Sequence, residues 1–334
     1  MAITIKDIAN AAQISAVTVS RILSNKEGHY SAATAAKVRK IAKNLGYRKN
    51  FAAAELVTRK NRVIAVIVSA VKTNFAEKIL EGIANSAIKY GYNIVLLYVK
   101  PNNPQSQRHA LQTILGRLIY GVLLVSLELT DENFQLLKTA KIPYLFISIA
   151  VKDGAAFIGS DDFQIGYQAT NFLIAQGRTK IGIAGMSNSS YIGQQRVAGY
   201  RHAMKKQQLL IKDRWIQFGD FTYQAGIQAM KNYGAATELT AIIGTSDLVT
   251  IGILNTAAEL NLSVPQQLSL LSIDGTQLTQ IVRPQLSSIT QDFYQMGYQG
   301  LRALVHQAEK KLKSHYMPFQ IIERQSTSQL KSKR

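Results

Sequence analysis

TIKDIANAAQISAVTVSRIL, residues 4–23, decides how the rest of the chain is read. Ile5, Ile8, Ala9 and Ala12 fall at i, i+3, i+4 and i+7, the apolar stripe of a short helix. Gln13-Ile14-Ser15 predicts a tight turn. Ser15 is a good N-cap for a second helix, in which Val19, Ile22 and Leu23 face inward and Ala16, Val17, Ser20 and Arg21 outward. Two amphipathic helices at this spacing are what a helix-turn-helix needs to lay one helix in a DNA major groove. Further out, NKEGH reads as a loop, and Ser31 caps a third helix with Val38, Ile41 and Leu45 on one face. Leu45-Gly46 is a helix stop. An all-α head over residues 1–48 follows.

Charge agrees with that reading. Lys and Arg number 39 against 20 Asp and Glu, a formal net charge of +19. Residues 1–60 hold 11 of the basic residues and only 3 of the acidic ones, so positive charge is concentrated beside the helix-turn-helix pattern. That is an electrostatic footprint for phosphates. Apolar residues make up 47% of the 334, a globular value, and no apolar run is long enough for a membrane span. Lys6, Asp7 and Asn10 interrupt any secretory apolar segment, so the chain is expected in the cytoplasm, at the nucleoid, with no membrane partner. With no cysteine there are no disulfides, thiolate metal sites or Cys nucleophile.

Residues 49–60, KNFAAAELVTRK, read as a linker that becomes helical when bound. Beyond Arg62 the pattern changes. Apolar runs at 63–68, 93–99, 121–126, 144–149, 181–186, 241–246 and 268–273 alternate with helical segments, the signature of parallel sheets covered on both faces. The alternation is too long for one sheet, so two α/β lobes with a cleft between them are expected, with ligand at the carboxyl ends of the strands. Trp215, in DRWIQFGD, is expected on a strand as packing, and the polar tail at 325–334 is expected to be disordered.

The chain resembles the lactose-repressor (LacI/GalR) family of bacterial transcription regulators over its whole length. In the head the resemblance rests on TIKDIA, on Ser15 to Leu23 and on Leu45-Gly46-Tyr47. In the core it rests on RVAGYRHAM (196–204), Ser246-Asp247, LSIDG (271–275) and RPQLSSITQDFYQMG (283–297). It implies a homodimer with a periplasmic-binding-protein-like core of two lobes joined by three crossovers. The core then spans 61–324, with lobe 1 at 61–160 plus 291–318 and lobe 2 at 161–290 plus 319–324.

The resemblance also implies site residues. Ala16, Val17 and Arg21 would read bases of a pseudo-palindromic operator, Arg21 by a bidentate contact to guanine. Thr4, Ser15, Thr18 and Ser20 would hold phosphates. Asn50, Ala53 and Leu56 match the hinge helix, whose Leu wedges into the minor groove. Lys49 stands where the family usually has Pro. Phe75, Arg196, Ser246, Asp247 and Asp274 match the effector site, with Phe75 stacking and Arg196 binding hydroxyls; Ser69 and Asn74 replace prolines common beside it. Lobe closure would reposition the hinge.

The function expected is repression of a carbohydrate-utilisation operon, released by a sugar or sugar phosphate. Two alternatives stay open: a catabolite-control-type regulator with a phosphoprotein co-repressor, which VRPQL (282–286) resembles, and a purine- or nucleoside-responsive repressor. An enzyme is not expected. The sequence has no G-x-S-x-G, P-loop or H-E-x-x-H, GIAG at 182–185 lacks dinucleotide spacing, and the five histidines show no metal-ligand pairing. No cofactor is implied. The tail carries no leucine heptad for a tetramer, so a dimer is expected.

Overall fold

The computed structural model describes residues 3–25, 28–47, 61–69, 75–100, 103–150, 154–307 and 310–327. Lys49, Asn50, Ala53, Leu56 and Asn74 lie outside them. The chain divides into two units, Met1–Asn61 and Arg62–Arg334.

The first unit holds α1 (Ile5–Ala12), α2 (Ala16–Leu23) and α3 (Ala32–Asn44). Each begins at a hydroxyl cap: Thr4, Ser15 and Ser31 accept the amide three residues on. Satisfying an orphan amide in this way is worth about 1 kcal/mol per helix. At α1 the cap is reciprocal, since Asp7 also accepts from the Thr4 amide at 2.7 Å. Gln13 enters the left-handed region (φ 56°) and ends α1, which makes the turn tight. Ile8, Ala12, Val19, Ile22 and Val38 form the core. Full burial of a side chain such as Ile8 or Ile22 contributes about 1.5–3 kcal/mol. Lys37 donates to the Ala12 carbonyl at 3.1 Å, tying α3 to the carboxyl end of α1 where a cation is favoured.

The second unit is built on two sheets. The first joins β1 (Val63–Ser69), β2 (Asn93–Val99), β3 (Gly121–Val125), β4 (Tyr144–Ile147), β5 (Phe157–Gly159) and β11 (His315–Tyr316), ordered β11-β5-β4-β3-β1-β2 and all parallel. The second joins β6 (Ile181–Met186), β7 (Ile216–Phe218), β8 (Ala241–Gly244), β9 (Ser269–Asp274), β10 (Ser287–Gln291) and β12 (Phe319–Ile322), ordered β12-β10-β9-β8-β6-β7. Only β12 is antiparallel in it, against β10. The central strands β1, β3, β6, β8 and β9 are buried almost throughout, which is why they read as unbroken apolar runs. Among the described residues the chain passes between the sheets three times: after β5, after β10 and between β11 and β12.

On the first sheet pack α4 (Ala76–Tyr90), α5 (Pro104–Leu115), α6 (Asp131–Thr139) and α12 (Phe293–Val305); on the second, α7 (Asp162–Ala175), α8 (Tyr191–Lys206), α9 (Tyr223–Tyr233) and α10 (Asp247–Glu259). Helix α11 (Leu278–Ile281) is one short turn. Helices α7 and α8 approach closely at Gly166 and Gly199. A Cβ at Gly166 would stand 2.1 Å from the Arg196 carbonyl, and one at Gly199 equally near that of Phe163. This contact fixes where α8 carries Arg196.

Two expectations need correction. Trp215 ends a 3-10 turn, Asp213–Trp215, rather than lying in a strand, and it is 2% exposed with its indole donating to Glu238. The tail is not disordered from 325: Ser326 and Thr327 are buried, and the Ser326 hydroxyl bridges the Leu270 carbonyl and the Ser287 amide. Polar composition concealed this, because the partners lie some 40–60 residues away and hydroxyls satisfied by backbone can be buried.

Candidate functional site

In the head, Val17 and Arg21 lie exposed on the side of α2 away from the buried Val19 and Ile22, with Ser20 beside them; Ala16, expected to face outward, is half-buried and packs against the core. Val17 is 61% exposed. Arg21 is exposed and forms no ion pair among the described residues, so its forked donors face outward. Ser15 and Thr18 are bound to each other, with hydroxyls 2.9 Å apart, as the cap of the same helix. Thr4 is likewise engaged with Asp7, and the Thr4 amide and hydroxyl hold the Asp7 carboxyl below the usual carboxylate range. This surface can offer apolar contact at one end, a forked cation at the other and hydroxyls at its edges.

The second site lies where the carboxyl ends of both sheets converge on a cavity of about 510 Å³, a size suited to a small organic ligand. The first sheet lines it with Ser69, Ser126 and Ser148, each at or just past the end of a strand. Phe75, before α4, stacks on Phe293 of α12 with ring centroids 4.5 Å apart and planes 14° off parallel. The second sheet contributes Ser187, Thr245, Asp274 and Gln291, and the caps of three helices, Ser190, Thr222 and Ser246, open onto the same space. The Ser126 hydroxyl is buried in this wall with no hydrogen-bond partner among the described residues. Leaving such a group unmet costs about 1–3 kcal/mol.

Arg196 reaches the cavity from α8 and is 5% exposed. Its Nε donates to Asp162 Oδ1 at 2.9 Å and its Nη1 to the Thr245 carbonyl at 2.6 Å. Burial pushes the Asp162 carboxyl up, and the Arg196 charge opposes that rise. Asp274, at the end of β9 with φ 109°, accepts from Gln291 at 3.1 Å. Burial drives its carboxyl well above the usual range, again against the pull of Arg196.

Of the residues matched to an effector site, Phe75, Arg196, Ser246 and Asp274 line this one cavity. Ser246 also caps α10, accepting from the Val249 amide and donating to the Phe221 carbonyl. Asp247 does not line it. Its carboxylate accepts from the Ser272 hydroxyl and from the amides of Gly275 and Thr276, which holds the turn after β9. Asp162, Ser126, Phe293 and Gln291 were not singled out from the sequence. Phe293 and Gln291 lie within the 283–297 stretch that was noted, but nothing local ties that stretch to Phe75 or Asp274. The Ser160-Asp161-Asp162 run looks like an ordinary helix start.

Comparison with known proteins gives this geometry a setting. Residues 4–50 match the family described as bacterial regulatory proteins, lacI family, and residues 170–327 match a periplasmic binding protein-like domain. The chain is 31% identical over 333 residues to catabolite control protein A of Priestia megaterium, covering 98% of this chain and 100% of the relative. A solved transcription regulator from Lactobacillus plantarum is 44% identical, covering 80% of this chain and 100% of that one, with a TM-score of 0.75. The lacI-family regulator CCPA from Weissella paramesenteroides, solved with bound glucose, is 26% identical over 81% of this chain and 100% of that one, with a TM-score of 0.73. The lac repressor dimer bound to operator shares the fold, with a TM-score of 0.88 at 23% identity over 98% and 99% of the two chains.

Proposed function

The chain belongs to the lacI family of bacterial regulatory proteins, and from that membership we propose that it is a homodimeric, sequence-specific transcription repressor whose operator binding is controlled by a sugar held in the 510 Å³ cavity. The observation that carries the effector half is the wall itself: a stacked aromatic pair, one guanidinium and a ring of hydroxyls at the strand ends. Flat apolar area with convergent donors and acceptors is the chemistry of polyol recognition. The operator half is supported by the exposed Val17 and Arg21 face of α2. Val17 and Ala16 would press on thymine methyls, and Arg21 would take a guanine edge. Thr4, Ser15, Thr18 and Ser20 would fix the register on phosphates, and Asn50, Ala53 and Leu56 would form the minor-groove wedge. The repressor acts at the nucleoid in the cytoplasm and controls a carbohydrate-utilisation operon.

A ligand shifts operator affinity only by its differential affinity for the two states of the lobes. The test selects operator fragments from genomic DNA with the full chain, then titrates them by fluorescence anisotropy with a panel of mono- and disaccharides. One sugar is expected to change operator affinity about tenfold or more, within the usual range of allosteric coupling. Specific DNA binding that no sugar alters would reject the effector assignment. It would favour the second reading, control of catabolite genes with a phosphoprotein co-repressor, which draws on the full-length similarity to catabolite control protein A.

A further inference from the structure

The charges around the cavity are unevenly matched. Among the described residues its lining has one cation, Arg196, against the carboxylates of Glu128, Asp220 and Asp274. That guanidinium is already paired: Asp162 lies 2.9 Å from Nε, with both side chains buried. Two of the helix starts that open onto the cavity also meet a carboxylate. The first amide of α8, Tyr191, donates to Glu128 at 2.9 Å. At α9, Asp220 accepts the Thr222 hydroxyl at 2.5 Å and lies 3.4 Å from its amide. Helix N-termini and arginines are the usual means of holding phosphate, and Arg196 and the starts of α8 and α9 each already meet a carboxylate of the protein.

We propose that the cavity selects an uncharged polyhydroxyl ligand and rejects its phosphorylated or carboxylated counterpart, with Asp162, Asp220 and Glu128 as the specificity-determining residues. The inference rests on the reading of the cavity as the effector site. A neutral sugar needs only hydrogen bonds, which Arg196 and the wall hydroxyls supply. A phosphate would lose its water beside carboxylates without gaining, among the described residues, a counter-charge that is not already paired, which is an effective way to discriminate between two otherwise similar ligands. Asp162 also holds the guanidinium in place through Nε, so it combines orientation with charge cancellation.

Calorimetry on the full-length protein, with glucose, cellobiose and sucrose each set against its 6-phosphate, tests this. For any sugar that binds, the phosphorylated form is expected to bind at least about tenfold more weakly. Asp162→Asn preserves an acceptor for Nε while freeing the charge of Arg196, and it should narrow that ratio by about tenfold. Asp220→Asn, at an exposed position that does not challenge folding, should narrow it by less. Tighter binding of the phosphorylated forms by the wild type, or ratios unchanged in both variants, overturns the selectivity and leaves the effector site standing. Binding of none of the six overturns the reading of the cavity as a sugar site, and this inference with it.

Discussion

The hydroxyl caps of the head are held by near neighbours, whereas the buried charged groups of the cavity are held by distant ones. Thr4 meets Asp7, Ser15 meets Thr18 and Ser31 meets Thr34, each three residues on. Arg196 meets Asp162 and Thr245, which are 34 and 49 residues away, and Asp274 meets Gln291 across 17. The caps of the head are therefore set within single helices, while its fold rests on the core that all three share. The cavity exists only once two sheets are complete. Local caps beside exposed side chains suit a surface that stays open to contact. A buried network with fixed partners suits a pocket that distinguishes closely related small molecules.

The largest test of that contrast is Arg196→Ala. It leaves Asp162 buried without a counter-charge and should destabilise the second unit by about 3–5 kcal/mol, with loss of sugar response. Calorimetric unfolding should show the shift in the second unit while the head's transition stays in place; a variant of unchanged stability would show that the network is not holding the pocket. Arg21→Ala should weaken operator binding by about 1–3 kcal/mol in anisotropy titrations, with sugar affinity unaltered. Equal weakening on random DNA would demote Arg21 to a phosphate contact. Ser15→Ala should cost the head about 1 kcal/mol, seen as a lower midpoint in its own denaturation.

The smallest effect concerns Glu238, where Lys212, Arg214 and Trp215 converge. The hydrogen bonds from Lys212 and then Arg214 hold its carboxyl down to about 2, from an ordinary 4.5. A depressed carboxylate stabilises the fold above its unfolded value and loses that contribution as pH falls through its folded one. Glu238→Gln should therefore lower the melting temperature slightly at pH 7, with the gap to wild type closing between about pH 4.5 and about pH 2. A gap independent of pH would mean that packing, not charge, keeps the residue there.

The same difference in range governs what could be read from the chain. The three helices of the head, their caps and the stop at Leu45-Gly46 follow from spacing within a few residues, and they stand where spacing puts them. The seven apolar runs appear as strands because buried parallel strands must be apolar throughout. Strands β5, β10, β11 and β12 carry no such run: β5 is three residues long and β11 two, β10 is Ser-Ser-Ile-Thr-Gln, and β12 is an exposed antiparallel edge. Arg196 could be found from its motif, but its partner Asp162 could not, since an Asp at a helix start normally needs no further explanation. Asp247 shows the reverse case. Its motif points to ligand, while its carboxylate is fully engaged with Ser272, Gly275 and Thr276.

The measurement that bears most directly on a cavity governing a separate DNA-reading head is reciprocal. The affinity of the full chain for a sugar found to alter operator binding should be determined with and without saturating operator. Linkage requires the two couplings to be equal. If the sugar weakens operator binding about tenfold, operator must weaken sugar binding about tenfold. Sugar affinity unchanged by operator would contradict the account, because the cavity and the head would then be bound to the same chain without being coupled.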